Sequence, residues 1–134
     1  MTKIVLGFDY GEKRIGIAIG QTLTQTASAI KTITTTNKKI DWNSITTLVE
    51  EWTPEIFVLG RPSLKSGREH PLTCEIEKFS RRLTGRYQRP VEFIDERLSS
   101  RAAVDYGQEV EHAGLDAVAA KLILETWLQE WSVK

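Results

Sequence analysis

The sequence is poor in cysteine, histidine and net charge. A single cysteine, Cys74, cannot form an internal disulfide, and with only two histidines the chain lacks the ligands of a usual structural zinc site. Lys plus Arg and Asp plus Glu both number 18, so bulk charge favours neither a nucleic acid nor a membrane as partner. The longest early apolar run, Ile4 to Phe8, is far shorter than a signal-peptide core or a membrane span. We expect a soluble cytoplasmic protein in which Cys74 is a small buried residue.

The rest of the composition is typical of an ordinary globular protein. Hydrophobic residues make up 40% and charged residues 27% of the chain, with 9 Gly and 4 Pro, which excludes collagen-like, low-complexity and disordered classes. A chain of 134 residues is long enough to bury one core and too short for two typical domains. Residues 1–134 are therefore predicted to form a single domain.

The first 35 residues predict three strands. The segments Ile4–Asp9 and Ile15–Gly20 are β-rich and joined by a short turn, which is typical of a hairpin. In the second segment Ile alternates with Gly or Ala, so one face of that strand is nearly bare. This pattern indicates that another element, or a ligand, packs closely against the bare face. A third strand is predicted at Ala27–Thr35, where threonines favour extended structure.

The remainder of the chain alternates predicted helices and strands. Apolar residues at steps of three and four predict a helix from Asp41 to Trp52, with Asp41 as its N-cap. The other predicted elements are a strand at Ile56–Gly60, a helix from Pro71 ending at Gly85, a strand at Val91–Asp95, a helix from Ser99 or Ser100 to Tyr106, and an apolar helix from Leu115 to Trp131. This order predicts an α/β fold, a mixed sheet covered by helices.

Three carboxylates, Asp9, Glu96 and Asp116, stand at the ends of hydrophobic segments. If the first and fifth strands flank a central parallel strand, their ends meet at the edge where ligands bind in open α/β sheets. Small residues beside Asp116, namely Ala117, Ala119 and Ala120, allow its helix to approach the sheet closely. Gathered carboxylates repel one another unless a divalent cation such as Mg²⁺ or Mn²⁺ neutralises them. Singly, an aspartate in such a place is usually a cap or turn residue.

Basic residues follow these acids or occupy the loop after the fourth strand. They are Lys13, Arg14, Arg61, Lys65, Arg68, Arg97 and Arg101. Their placement predicts a local positive rim around an acidic centre, which is typical of phosphate-backbone binding. Solubilising surface charges and simple ion pairs are the alternative interpretation.

Four segments carry a resemblance to a known family. The run Phe8–Ala18, FDYGEKRIGIA, resembles the opening motif of the YqgF family, also called RuvX, of RNase H-like nucleases. The segments Val58–Pro62, Asp95–Ser99 and Leu115–Ala120 are similar to the family in the right order, so the resemblance spans nearly the whole chain. It implies an RNase H-like mixed five-stranded sheet, with three antiparallel strands leading into parallel ones and helices on both faces.

The resemblance also implies a function. Asp9, Glu96 and Asp116 would be the catalytic residues and the ligands of Mg²⁺ or Mn²⁺ in a phosphodiester-hydrolysing site, with the neighbouring basic residues holding phosphate. The implied substrate is structured RNA, the 5′ end of precursor 16S ribosomal RNA, acted on during ribosome biogenesis. The alternatives are a Holliday junction resolvase acting on branched DNA and a non-catalytic RNA-binding assembly factor.

A resolvase would need a homodimer to cut two strands symmetrically, whereas the nuclease can act as a monomer or a homodimer. Trp127 or Trp131 is a candidate dimer contact, although tryptophans at helical spacing are more often core residues. After Gly60 the sequence departs from the family pattern, since Leu64 stands where the family usually has Asn. The Asp-x-Gly turn is also similar to that of actin-like and sugar-kinase ATPases, which need two such lobes to enclose a nucleotide.

Overall fold

The computed structural model describes residues 3–11, 13–35, 39–61, 73–95 and 114–133. The strands are β1 (Ile4–Tyr10), β2 (Arg14–Gln21), β3 (Thr26–Thr34), β4 (Ile56–Arg61) and β5 (Val91–Asp95), and the helices are α1 (Trp42–Trp52), α2 (Thr73–Tyr87) and α3 (Leu115–Val133). Each lies within one or two residues of its predicted position. The helix predicted from Ser99 or Ser100 to Tyr106 lies outside the described residues.

The five strands form one mixed sheet in the order β3-β2-β1-β4-β5. β1 pairs antiparallel with β2, and β2 with β3, whereas β4 pairs parallel with both β1 and β5. The predicted fold class is confirmed. Because β1 and β5 flank β4 and run in the same direction, the ends of these three strands, at Tyr10, Arg61 and Asp95, share one edge, called here the carboxyl edge.

Helices cover both faces of the sheet and create two buried layers. One layer lies between the sheet and α1 with α2, and includes Leu6, Phe8, Ile17, Phe57, Leu59, Ile45, Phe79 and Leu83. The other lies between the sheet and α3, and includes Val5, Ala18, Val58, Ile94, Ile123, Leu124 and Trp127. Successive residues of each strand alternate between the two layers, as the pleat of a β-strand requires.

The bare face of β2 lies directly under α3. A Cβ atom on Gly20 would come 2.9 Å from Cδ2 of Leu124, and one on Gly7 of β1 would come 3.2 Å from Cβ of the same leucine. Real Cβ contacts are rarely this short, so the glycines allow α3 to lie closer to the sheet than larger residues would. The prediction of close packing on this face is confirmed.

A side-chain cap begins α1, whereas a tertiary contact extends the end of α2. Asp41 is the N-cap of α1, as predicted, and its carboxylate accepts hydrogen bonds from the backbone N–H and the hydroxyl of Ser44, at 3.2 and 2.7 Å. The prediction that α2 ends at Gly85 is wrong, since the helix continues to Tyr87. The ring of Tyr87 packs against Phe57, with ring centroids 5.8 Å apart, and this tertiary contact outweighs the weak helix propensity of one glycine.

Two further expectations about burial are corrected. Cys74 is exposed, because the residues of α2 that face the sheet are Thr73 and Ile76 on either side of it. Trp127, a candidate dimer contact, is buried between α3 and the sheet, and its ring stacks on that of Trp131 at 5.1 Å. Both tryptophans therefore belong to the α3 layer.

Within the part of the chain that the structure describes, no helix has the length and apolar character needed to span a membrane.

Candidate active site at the carboxyl edge

Asp9 lies at the carboxyl edge on the face of the sheet covered by α3. Val5 and Gly7 precede it on β1 at steps of two, and both lie in the α3 layer, so the side chain of Asp9 belongs to the same face. In the antiparallel pairing of β1 with β2, Asp9 stands opposite Gly16. The half-buried carboxylate therefore has a glycine, not a side chain, as its neighbour across the strands.

Asp116 is brought to the same place by the first turn of α3. A Cβ atom on Gly16 would lie 1.8 Å from the backbone oxygen of Asp116, so the start of α3 rests directly on this glycine. Gly114, at φ +93°, lies so close to Thr32 of β3 that a Cβ atom on it would come 2.7 Å from the Thr32 hydroxyl oxygen. Thr32 is the partner of Gly16 in the pairing of β2 with β3. Adjacent strands are about 5 Å apart, and Asp9 and the Asp116 backbone thus lie within about one strand spacing of the same residue. The structure thus places Asp9 and the backbone of Asp116 on either side of Gly16, and the convergence of their carboxylates stays a prediction.

Arg14 neutralises part of this acidic centre. Its Nε donates to Oδ2 of Asp116 at 2.9 Å, across the start of β2 and the first turn of α3. The side chains are 56% and 31% exposed, so this ion pair contributes no more than about 1 kcal/mol to stability. Arg14 and its sequence neighbour Lys13, in the turn between β1 and β2, are both exposed.

Arg61 lies at the same edge on the opposite face of the sheet. Its Nη2 donates to Oε1 of Glu77 on α2 at 3.1 Å, and its guanidinium lies 4.3 Å from the ring centroid of Phe93 on β5. The structure therefore brings Arg14 to Asp116 but places Arg61 on the other face of the sheet, while Lys13 is exposed in the turn before β2.

The carboxylate oxygens of Asp9 and Asp116 suit a hard divalent cation. Glu96, the third predicted ligand, follows the last residue of β5 in the sequence and lies outside the described residues, as do Lys65, Arg68, Arg97 and Arg101. Among the described residues, no group of three or more acidic, histidine or cysteine side chains is close enough to hold a metal. Asp9 and Asp116 are thus the two carboxylates of the predicted donor set that the structure describes, to which Glu96 would add a third.

Two contacts of this site have no signal in the sequence. The bare face of β2 indicated close packing, but not that the Asp116 backbone would be the group resting on Gly16. The ion pair of Arg14 with Asp116 joins residues from opposite ends of the chain, and only the packing of α3 brings them together.

Comparison with known proteins identifies close relatives across nearly the whole chain. The family described as "RuvX: Holliday junction resolvase" matches residues 3–130. A Hydrogenovibrio crunogenus protein named "Putative pre-16S rRNA nuclease" is 46% identical over 125 residues, covering 93% of this chain and 92% of its own length. A Coxiella burnetii protein of the same name is 43% identical over 131 residues, covering 95% of this chain and 93% of its own.

Solved structures share the fold at much lower identity. T. thermophilus RuvC in complex with a Holliday junction substrate has a TM-score of 0.63 at 12% identity, over 96% of both chains. Fowlpox virus resolvase in complex with Holliday junction DNA has a TM-score of 0.58 at 16% identity, over 98% of this chain and 99% of its own. These likenesses show that the chain has an RNase H-like fold. The family match over residues 3–130 shows that the chain belongs to the RuvX family.

Proposed function

We propose that this protein is a divalent-metal-dependent nuclease that processes the 5′ end of precursor 16S ribosomal RNA. The names of relatives at 38–46% identity support this substrate. The observation that carries the chemistry is the seating of α3 on Gly16, which holds the Asp116 backbone against β2 one strand away from Asp9. This seating supports a site in which the two carboxylates, from distant parts of the chain, act together at the edge where α/β sheets bind ligands.

Each residue of the site has a distinct task in this proposal. Asp9, Asp116 and Glu96 hold Mg²⁺ or Mn²⁺, which when bound neutralises phosphate charge and activates water for attack on the phosphodiester. Lys13 and the outward donors of Arg14 hold and orient the phosphate at the exposed rim. Because Asp9 sits on a strand and Asp116 on a helix that rests on backbone, the carboxylates are held by rigid elements.

Branched DNA is the second candidate substrate, because the family description itself names Holliday junction resolution. Symmetric cutting of a junction requires two copies of the site related by a two-fold axis. Trp127 is buried within its own chain, so it supplies no surface for such a dimer. The oligomeric state, measured by light scattering with and without junction DNA, distinguishes this candidate.

The test is cleavage of a labelled precursor RNA 5′ segment and of a four-way DNA junction in parallel reactions. Wild type, Asp9→Asn and Asp116→Asn are compared in Mg²⁺, Mn²⁺ and EDTA. We expect metal-dependent RNA cleavage that each substitution reduces at least about 100-fold, because a ligand of the cation is lost. Glu130→Gln, an exposed carboxyl change at the far end of α3, is the matched control and should cleave as wild type does.

A second readout is independent of turnover. A cation that binds only the folded protein raises its melting temperature, so Mg²⁺ or Mn²⁺ should stabilise wild type and Glu130→Gln but not Asp9→Asn. Junction cleavage without RNA cleavage would transfer the proposal to the resolvase. Cleavage of neither substrate by folded protein, with no metal-dependent stabilisation, would contradict a nuclease site at Asp9 and Asp116.

A further inference from the structure

Helix α2 and the residues that follow it concentrate positive charge in a chain of zero net charge. Residues 73–89 contain five basic residues and two acidic ones. One of the acids, Glu77, is already engaged by Arg61. The exposed surface of α2 is therefore locally cationic, although the composition of the whole chain gives no sign of it.

Three of these cations form a line along the helix. Lys78, Arg82 and Arg86 follow one another at steps of four, so they lie on one side of α2, and all three are exposed. We call them the basic stripe. None of the three makes an ion pair with any residue in the described ranges. With a rise of 1.5 Å per residue, the stripe extends over about 12 Å.

The basic stripe borders two surface grooves on the α1 and α2 face of the sheet. Lys78 and Arg82 line a groove of about 180 Å³ together with Glu75 and with Tyr10, the last residue of β1. Arg86 and Arg89 line a second groove of about 640 Å³ with Glu50 of α1, so cations outnumber acids in both grooves. Since Tyr10 follows Asp9 directly in the chain, the stripe starts at the carboxyl edge and leads away from it along α2.

The ordinary roles of surface cations explain only part of this arrangement. Arg86 lies in the last turn of α2, where a cation favours the helix dipole, and Arg89 donates to the backbone oxygen of Tyr87 at 2.7 Å. Lys78 is in the middle of the helix and has no such role. The guanidinium carbon of Arg86 also lies 4.2 Å from the ring centroid of Trp42, a cation–π contact that helps to hold the side chain in place.

We propose that the basic stripe binds the phosphate backbone of the substrate RNA where the strand extends beyond the carboxyl edge onto the α2 face. This inference rests on the proposed function, because it takes a nucleic acid at the edge as its starting point. Charge complementarity selects this occupant, since a row of cations that form no ion pair with the described residues attracts a polyanion and releases its counterions. A second copy of the chain would bring a second row of like charges against the first.

Adjacent residues of α2 provide a matched test. Arg81 has the same charge and exposure as Arg82 but lies about 100° away around the helix and borders neither groove. Binding of a fluorescently labelled precursor RNA 5′ segment is measured by anisotropy in EDTA, across a series of salt concentrations. We expect Arg82→Gln to reduce the slope of log affinity against log salt by about 0.7 to 1, and Arg81→Gln to leave it unchanged.

The combined variant Lys78→Gln, Arg82→Gln, Arg86→Gln should reduce the slope by about 2 to 3, with a circular dichroism spectrum and melting temperature close to those of wild type. Equal slopes for this variant, Arg81→Gln and wild type would overturn the inference while leaving the proposed function intact if wild type still cleaves the RNA. A change of mass in light scattering without a change of RNA affinity would assign the stripe to a protein interface and also overturn it. Failure of wild type to bind or cleave any RNA would instead contradict the proposed function itself.

Discussion

Gly16 of β2 is the residue that allows the start of α3, and with it Asp116, to lie against the sheet. The start of α3 rests on its Cα, and a methyl group there would lie 1.8 Å from one backbone atom of Asp116 and 2.0 Å from another. A clash with backbone cannot be relieved by rotating a side chain, so the whole first turn of α3 would have to shift. The position of Asp116 relative to Asp9 therefore depends on the absence of a side chain at this residue.

The substitution Gly16→Ala should lower the free energy of unfolding by at least about 2 kcal/mol and abolish RNA cleavage, because it displaces the Asp116 carboxylate. Urea unfolding and a cleavage assay measure the two effects. Gly85→Ala is the control, since a Cβ there meets nothing within 4 Å and an alanine in a helix interior is more favourable than glycine by about 0.5–1 kcal/mol. Equal stability and activity of the two variants would contradict the close seating of α3.

Hydrogen bonds at the start of α1 and a ring contact at the end of α2 help to determine the bounds of these helices. For α1 the decisive group is the Asp41 carboxylate, whose pKa is lowered chiefly by the hydrogen bond from the Ser44 hydroxyl and then by the Ser44 backbone N–H. A carboxyl whose pKa is depressed by folding stabilises the protein above its ordinary pKa, and this contribution disappears as the pH falls through the folded value.

The variant Asp41→Ala should therefore cost about 1 kcal/mol of stability at pH 7, and the difference from wild type should narrow as the pH falls below about 4. Thermal unfolding at a series of pH values measures this difference in stability between the variant and wild type. Asp41→Asn retains an N-cap acceptor without the charge, so its stability at pH 7 should be close to that of wild type. It should not show the loss of stability that wild type shows when Asp41 is protonated at low pH. A difference between Asp41→Ala and wild type that is constant with pH would show that the ionised carboxylate is not the group that caps α1.

The two buried layers of the molecule contribute differently to the candidate active site. Both buried layers stabilise the sheet, but only the α3 layer holds Asp116 in position, through the contacts of Leu124 with Gly7 and Gly20. The opposite layer, beneath α1 and α2, supports the surface that carries the basic stripe. Damage to the α3 layer should therefore slow catalysis more than damage to the opposite layer.

Leu124→Ala and Leu83→Ala test this division with the same chemical change, since both side chains are 0% exposed and each lies on the helix of a different layer. Each should lower the free energy of unfolding by about 2–5 kcal/mol. At a temperature where both variants are folded, Leu124→Ala should cleave RNA more slowly than Leu83→Ala, because α3 can shift over the cavity. The reverse order of activities would show that the α3 layer does not position the site.

Local sequence patterns determined the elements of this protein and the candidates for its site. The alternation of Ile with Gly and Ala in β2, the spacing of apolar residues in α1 and the carboxylate at its N-terminus all act within a few residues, so they are readable without the fold. The same holds for Asp9 and Asp116, each at the end of an apolar segment. The resemblance of four separate segments to one family then predicted how the strands are ordered.

Tertiary structure alone decided which of these groups meet. It placed the start of α3 against Gly16, paired Arg14 with Asp116 and left Arg61 on the opposite face of the sheet. These outcomes depend on strand order and on contacts between residues that are distant in the sequence. Burial was decided in the same way. The helical spacing of Trp127 is compatible with a dimer contact or with a core residue, and the packing of α3 on the sheet makes it a core residue. Cys74 is exposed because its neighbours on α2, not the cysteine itself, face the core.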